Sequence, residues 1–283
     1  MIASDALEVR TTASCDWLTR TFGNPAIRRF VRDDFNNSVN VLLAEGHEPS
    51  SWQWMGYEGV SIAGLSWGTR EDTDILRASG GMAERMFDKF AHYQGNCSRI
   101  DISLTCSWPK PQKFLASAAY ENITAGPDAA KRRLYSLITN SRGGETLYVG
   151  SRSSDQFGRL YDKDAEQGLA RIASRWRYEV EFKADRAVKV LELLQPTRER
   201  GIMYLGIVKG FFEPRGVKLP PLADEQGIKV EVIAPPKTVD TQLAWLRFQV
   251  APIVGKLKRM GLEASVMDAL RLEGHDTNGS TGS

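Results

Sequence analysis

The sequence predicts an α+β protein: a central, mostly antiparallel sheet flanked by helices, with a helical unit at the C-terminus. Two strands carry the prediction. In 98–106, SRIDISLTC, Ile100, Ile102, Leu104 and Cys106 point one way and Arg99, Asp101, Ser103 and Thr105 the other. In 176–183, WRYEVEFK, Trp176, Tyr178, Val180 and Phe182 alternate with charged residues. The third observation is that segments of helical period lie between such strands and hairpins.

The elements follow in order. Residues 14–22 read as a strand rich in aromatics and threonine, and 24–45 as a helix closed by Gly46. The aromatic and glycine-rich run 51–80 reads as a hairpin or meander. A turn at Ser79–Gly81 then opens a helix with Met82, Met86, Phe87 and Phe90 on one face. Pro109 and Pro111 end the strand 98–106, and 112–140 is expected to be helical with a break near Gly126-Pro127. Strands are expected at 145–150, 157–163 and 176–183, and helix over 184–210. Both CDWLTRTF and RIDISLTC place an aspartate within a strand, a faint echo that allows two related half-sheets. The expected organisation is a flexible arm (1–13), a main domain (14–210), a Pro/Gly-rich linker (211–236), a helical unit (237–273) and a disordered tail (274–283).

Composition bounds the function. The 283 residues are 42% hydrophobic and 25% charged, enough for a sizeable core and against disorder, collagen or coiled coil as the main architecture. No apolar run of membrane-spanning length and no secretory h-region is expected to be present. Three scattered cysteines and three scattered histidines argue against a disulfide framework or a zinc site and fit a reducing cytoplasm. A metal would need oxygen ligands, which favours magnesium or manganese. A net charge of +2 neither demands nor excludes nucleic acid. No Walker A or G-x-G-x-x-G motif supports nucleotide chemistry.

The chemistry concentrates in 145–183. Arg175, Arg177, Glu179, Glu181 and Lys183 share one strand face. Two carboxylates two residues apart, about 7 Å at the strand rise of roughly 3.3 Å per residue, suit a divalent cation; the same pattern suits a solvated face with cross-strand ion pairs. Asp101, against strand propensity, completes a candidate triad or pairs with Arg99, and Asp16 is a weaker case of the same kind. Tyr161, between Arg159 and Lys163, is expected to ionise more easily and to serve as a nucleophile toward phosphorus. The turn GSRSSD, 150–155, offers backbone N–H groups, Ser151, Arg152 and Ser154 to phosphate. Lys131, Arg132, Arg133, Arg142, Arg152, Arg159, Arg171, Arg175 and Arg177 surround it as a basic field.

The ordered set CDWLTRTF, ILRASGGMAERMF, SRIDISL, ETLYVGSRSSDQFGRLYDKDAE and WRYEVEFK resembles the replication initiation factor (Rep_trans) family over roughly residues 14–195. The most specific string is TLYVGSRSSDQFGRLYDK followed by WRYEVE. The resemblance implies a rolling-circle initiator of a plasmid or phage. Such an enzyme nicks one DNA strand at an origin, links a tyrosine to the 5′ phosphate, later rejoins the ends, and requires a divalent ion. It makes Tyr161 the nucleophile, with Tyr148 in reserve; Asp101, Glu179 and Glu181 the ligands of Mg²⁺ or Mn²⁺; and Lys163 and Arg177 catalytic partners. Ser151, Arg152, Ser154, Arg159, Arg175 and Lys183 would hold DNA. Origin DNA, both double- and single-stranded, a host helicase, a polymerase and a second copy of the chain are the implied partners. The glycine and methionine of ASGGMAERM depart from a Gln-Gly pair common at that turn. In the C-terminal unit, Leu243, Leu246, Val250, Val254 and Leu257 form an apolar stripe beside a basic rim of Arg247, Lys256, Lys258 and Arg259. A relaxase of a mobilisable or integrative element with the same chemistry, and a non-catalytic origin-binding regulator, are the alternatives.

Overall fold

Strands β1 (Arg10–Phe22) and β6 (Asn96–Trp108), each of 13 residues, pair antiparallel and form the seam of a ten-stranded sheet in a computed structural model. The structure describes residues 10–108, 115–125, 134–140, 143–169, 174–195, 200–220, 227–231, 243 and 251–262. On one side of the seam lie β2 (Ser50–Trp54), β3 (Tyr57–Ile62), β4 (Leu65–Arg70) and β5 (Thr73–Ser79). On the other lie β7 (Tyr135–Thr139), β8 (Glu145–Val149), β9 (Gln156–Asp162) and β10 (Ser174–Lys183). The order is β2-β3-β4-β5-β1-β6-β10-β9-β8-β7, and every pairing is antiparallel. The expected α+β class is what the chain adopts.

The two halves repeat one plan. β1 leads through α1 (Pro25–Ala44) into the meander β2–β5 and then α2 (Gly81–Phe90). β6 leads through α3 (Leu115–Thr124) into β7–β10, interrupted by the short α4 (Lys163–Glu166), and then α5 (Ala184–Leu194). The strand orders mirror each other about the seam. Across the seam Trp17 pairs with Asp101 and Thr19 with Arg99. Arg77 stands opposite Thr19 and Glu181 opposite Asp101 on the neighbouring strands. The mirrored strand order is the shared plan that the faint echo between CDWLTRTF and RIDISLTC allows.

One face of the sheet is apolar and covered. Leu18, Trp67, Leu76, Ile100, Ile102, Leu104, Leu160, Trp176, Tyr178 and Val180 alternate into a core closed by the helices, including α6 (Arg200–Phe212). The sequence explains how the helices start. Asn24 caps α1 by accepting from the Ala26 N–H at 3.0 Å with Pro25 in the first turn, and Val31, Phe35, Ser38 and Leu42 follow at helical spacing as its buried face. Arg20, 1% exposed on this side, donates to five backbone carbonyls, those of Phe90, Ala91, Tyr93, Gly95 and Asn96, and so ties the end of α2 to the start of β6.

Three expectations change. The segment 112–140 is not one helical region: α3 ends at Thr124 and Tyr135–Thr139 is an edge strand paired with β8. Its alternation is too short to read against a helical background. The Gly126-Pro127 break, Pro109 and Pro111 lie outside the described residues. β1 begins at Arg10, inside the expected arm, and residues 211–220 of the expected linker belong to the first unit, with Phe211, Phe212 and Val217 buried. The chain divides into two units, Met1–Val232 and Ile233–Ser283. In the second unit the described helix α7 (Ala251–Arg259) half-buries Val254 and Leu257 and exposes Lys256, Lys258 and Arg259. Leu246, Arg247, Val250 and the tail lie outside the described residues. Among the described residues no helix is long and apolar enough to cross a membrane.

Candidate active site

The open face of the second half-sheet gathers the predicted acids. Register places Asp101 of β6 opposite Glu181 of β10, and Glu179 opposite Arg159 of β9, so all share the face opposite the helix-covered core. Asp101 and Glu179 are buried. Each acid is held by cations. Arg99 donates to Asp101 from Nε at 2.9 Å and Nη2 at 2.6 Å, and the same Nη2 reaches Glu181 at 2.9 Å. Lys183 pairs with Glu181 at 2.7 Å, and Arg159 pairs with Glu179. Arg177 donates to Thr105 Oγ1 at 2.9 Å and to Asp16 at 2.8 Å, binding the seam strand to β10.

Tyr161 enters this cluster from β9. Its hydroxyl donates to Glu179 Oε2 at 3.0 Å. Lys163 Nζ lies 5.6 Å from the Tyr161 ring centre and pairs with Glu166 at 2.7 Å. Tyr148 is placed otherwise: its ring stacks on Phe157 at 5.6 Å and lies beneath the Arg152 guanidinium at 4.9 Å. The structure therefore brings Tyr161, and not Tyr148, to the acids.

One expectation about Tyr161 is reversed. Burial, then the Glu179 charge and the hydrogen bond to it, push its hydroxyl well above the ordinary tyrosine value, and Arg177 offsets only part of this. Arg159 pairs with Glu179, and the cations around Tyr161 do not offset its burial. Asp101 is raised to about 6, chiefly by burial and further by Glu179 and Glu181, against the pull of Arg99.

The remaining predicted residues frame the site. In the 150–155 turn, Ser151 and Ser153 hydroxyls lie 2.8 Å apart, Ser154 bonds the Gln156 carbonyl, and Lys183 donates to the Arg152 carbonyl at 2.6 Å. Arg175 is tied to Asp164 at 2.5 Å and to Gln167 at 2.8 Å, at the far end of β10. Lys131, Arg132, Arg133, Arg142 and Arg171 of the expected basic field lie outside the described residues. Arg99 and Asp16 were the residues sequence reasoning underused. The alternation of β6 already set Arg99 on the face of Asp101, whereas a pair 161 residues apart, Asp16–Arg177, leaves no local signal.

The three carboxylates, on two paired strands, are hard oxygen donors of the kind magnesium or manganese takes. In the present arrangement Arg99 stands between Asp101 and Glu181, and among the described residues no three acidic, histidine or cysteine side chains form a ready metal-holding group. A divalent cation would compete with Arg99 for these oxygens.

A family model described as "Replication initiation factor" matches residues 120–270, just over half of the chain and including Tyr161, Glu179 and Glu181. The chain belongs to this family. A comparison with curated proteins returns no match. Among solved structures, one described as "Structure of Rolling Circle Replication Initiator Protein from Geobacillus stearothermophilus" is similar at 18% identity. The similarity covers 79% of this chain and 93% of that one, with a TM-score of 0.48.

Proposed function

We propose that this replication initiation factor nicks and rejoins one DNA strand at an origin through a tyrosyl–5′-phosphate link to Tyr161, as rolling-circle initiation requires. The observation that carries the reading is the Tyr161 hydroxyl, seated on Glu179 at 3.0 Å among carboxylates and guanidinium groups on the uncovered face of the sheet. In the step, the Tyr161 oxygen bonds to phosphorus as the bond from phosphorus to the 3′ oxygen breaks. Glu179 Oε2 takes the tyrosine proton and passes it to solvent, while a solvent water protonates the departing 3′ oxygen to a hydroxyl, so proton and charge balance. Rejoining is the reverse, with a 3′ hydroxyl attacking the phosphotyrosine. Arg159 and Arg177 are placed to balance negative charge on the phosphoryl oxygens. Asp101, Glu179 and Glu181 would hold the divalent ion, which when bound lowers the cost of the phenolate and polarises the phosphate. The freed 3′ hydroxyl is a primer end, which makes a polymerase and a helicase the natural partners. A relaxase would use the same step and differs in the DNA it cuts.

The test is to incubate the chain with single-stranded oligonucleotides tiling the origin region of its own replicon, with and without Mn²⁺, and to map covalent adducts by peptide mass spectrometry. A metal-dependent adduct on Tyr161 is expected. An adduct on Tyr148 would keep the enzyme and move the nucleophile. DNA that binds without nick or adduct would favour the non-catalytic origin-binding reading.

A further inference from the structure

The aromatic-rich meander, read from sequence only as structure, shares the open face with the candidate active site. Trp52 lies flat across β4 because Gly68 leaves it room: a Cβ there would meet a Trp52 ring carbon at 2.8 Å. Trp54 stacks beside it, with ring centres 6.3 Å apart, and Tyr57 and Ile75 complete a small cluster separate from the main core. Guanidinium groups alternate with these rings. Arg70 stands 4.6 Å from the Tyr57 ring, Arg77 5.2 Å from Trp52 and 5.0 Å from Trp17, and Arg99 4.4 Å from Trp17. The row then crosses the seam, since Trp17 pairs with Asp101.

Two of these cations are not neutralised. Arg70 donates to the Met55 carbonyl at 3.1 Å, and among the described residues neither Arg70 nor Arg77 has an acidic partner. Arg77 Nε is also buried without an acceptor. A guanidinium held in place by stacking, with no carboxylate beside it, is suited to meeting an anion.

The geometry points to the open face of β2–β5 as the seat of the single strand flanking the scissile phosphate, with bases stacking at Trp54 and phosphates meeting Arg77 and Arg70. Single-stranded nucleic acid is favoured because its bases are free to stack while its backbone supplies the negative charge; duplex DNA hides its base faces. The inference takes its ligand class from the proposed DNA chemistry, but it does not depend on Tyr161 being the nucleophile.

The test uses the full chain, without metal, and fluorescein-labelled dT20 followed by anisotropy from 50 to 300 mM NaCl. Trp54→Ala and Arg77→Ala are each expected to weaken dT20 binding about tenfold. Trp54→Phe should stay within about threefold, since it keeps a stacking face. Arg77→Ala should also flatten the log–log salt dependence by about 0.7. Affinity for a 20-base-pair duplex should change less than about twofold in every variant, because duplex bases cannot reach the rings. Wild-type affinity for dT20 in Trp54→Ala and Arg77→Ala overturns the proposal, as does an equal loss for duplex and single strand, or a preference of this face for a polyglutamate peptide over dT20. Thermal unfolding monitors the fold. Should Arg77→Ala not fold, Trp54→Ala, whose ring is half-exposed, decides. A wild-type chain that forms the tyrosine adduct while these variants bind dT20 normally would leave the nicking reading standing and remove this one. Binding lost in the variants, with no adduct in any chain, would do the reverse.

Discussion

Beside the seam of β1 and β6 the second half-sheet holds Glu181, Glu179, Arg159 and Tyr161, and the first holds Arg77, Ile75, Gly68 and Arg70. Both sets stand on the face of the sheet opposite the helix-covered core. The core faces of the halves are alike in kind, apolar and helix-covered. The open faces differ in charge and in shape: acids and a tyrosine hydroxyl on one side, rings lying over glycines and uncompensated arginines on the other. A two-fold architecture supplies two equivalent positions, and only one needs to hold the reacting groups. The other is free to evolve toward holding the rest of a long substrate.

The largest effect that would break this contrast is at Tyr161. Tyr161→Phe should lower nicking about 10⁴-fold or more, since it removes the proposed bond-forming atom. It should cost only about 1 kcal/mol of stability, the hydrogen bond to Glu179. Arg70→Ala, in the other half, should raise the DNA concentration needed for half-maximal adduct and leave Tyr161 as the linked residue. Nicking by Tyr161→Phe on origin oligonucleotides, read on a denaturing gel, would end the assignment of chemistry to the second half.

The next effect lies beneath both faces. Arg20→Met should destabilise the fold by about 3 kcal/mol or more, because five carbonyls between Phe90 and Asn96 lose their donor inside the protein. Urea unfolding measures it. A loss under about 1 kcal/mol would mean that water replaces the guanidinium and that the 90–96 turn is less closed than its burial implies.

The elements of the first half were legible in the sequence, but chemistry was legible only in the second. Period-two alternation in 98–106 and 176–183 set Asp101, Glu179 and Glu181 on one face, and each pairing bears that out. Alternation also marks 157–163 as a strand, which set Arg159 and Tyr161 together. Pairing across the seam was not legible, because strand partners are chosen by global topology and β1 reaches β6 across α1, the whole meander and α2. That is why Asp16–Arg177 and the Trp17–Arg99 contact emerge only in three dimensions. The glycine-rich run reads only as a hairpin or meander, whereas Gly68 makes room for the Trp52 ring two strands away. The Tyr161 ionisation is hidden for a related reason: its sequence neighbours Arg159 and Lys163 are visible, while burial and Glu179, 18 residues away, decide it.

A smaller effect sharpens the contrast in charge. Arg99 is shared between the halves, stacked on Trp17 and bonded to Asp101 and Glu181. Arg99→Gln should tighten Mn²⁺ binding about tenfold, about 1.4 kcal/mol, by removing the cation that competes for the acids. Asp101→Asn should weaken it by at least as much. Isothermal titration distinguishes them. Weaker Mn²⁺ binding in Arg99→Gln would show that the arginine organises the acids instead of blocking them.

The smallest effect concerns the other side of the same seam, where silence is expected. Cys15 of β1 and Cys97 and Cys106 of β6 are buried beneath the ionic face. Burial pushes the Cys97 and Cys106 thiols up to about 12, and burial and then Glu84 raise Cys15 well above the ordinary thiol value. The folded chain therefore keeps three protons that the unfolded chain releases above its ordinary thiol value of 9.0. These groups leave stability flat below pH about 8 and lower it as pH rises further. In native buffer, iodoacetamide labelling should stay slow and change little from pH 7 to 9, while in urea it should rise steeply over the same range. Native labelling that climbs with pH like the denatured chain would mean the seam opens locally. The two half-sheets would then move against each other, and the rings of one could not hold a strand in fixed register with the acids of the other.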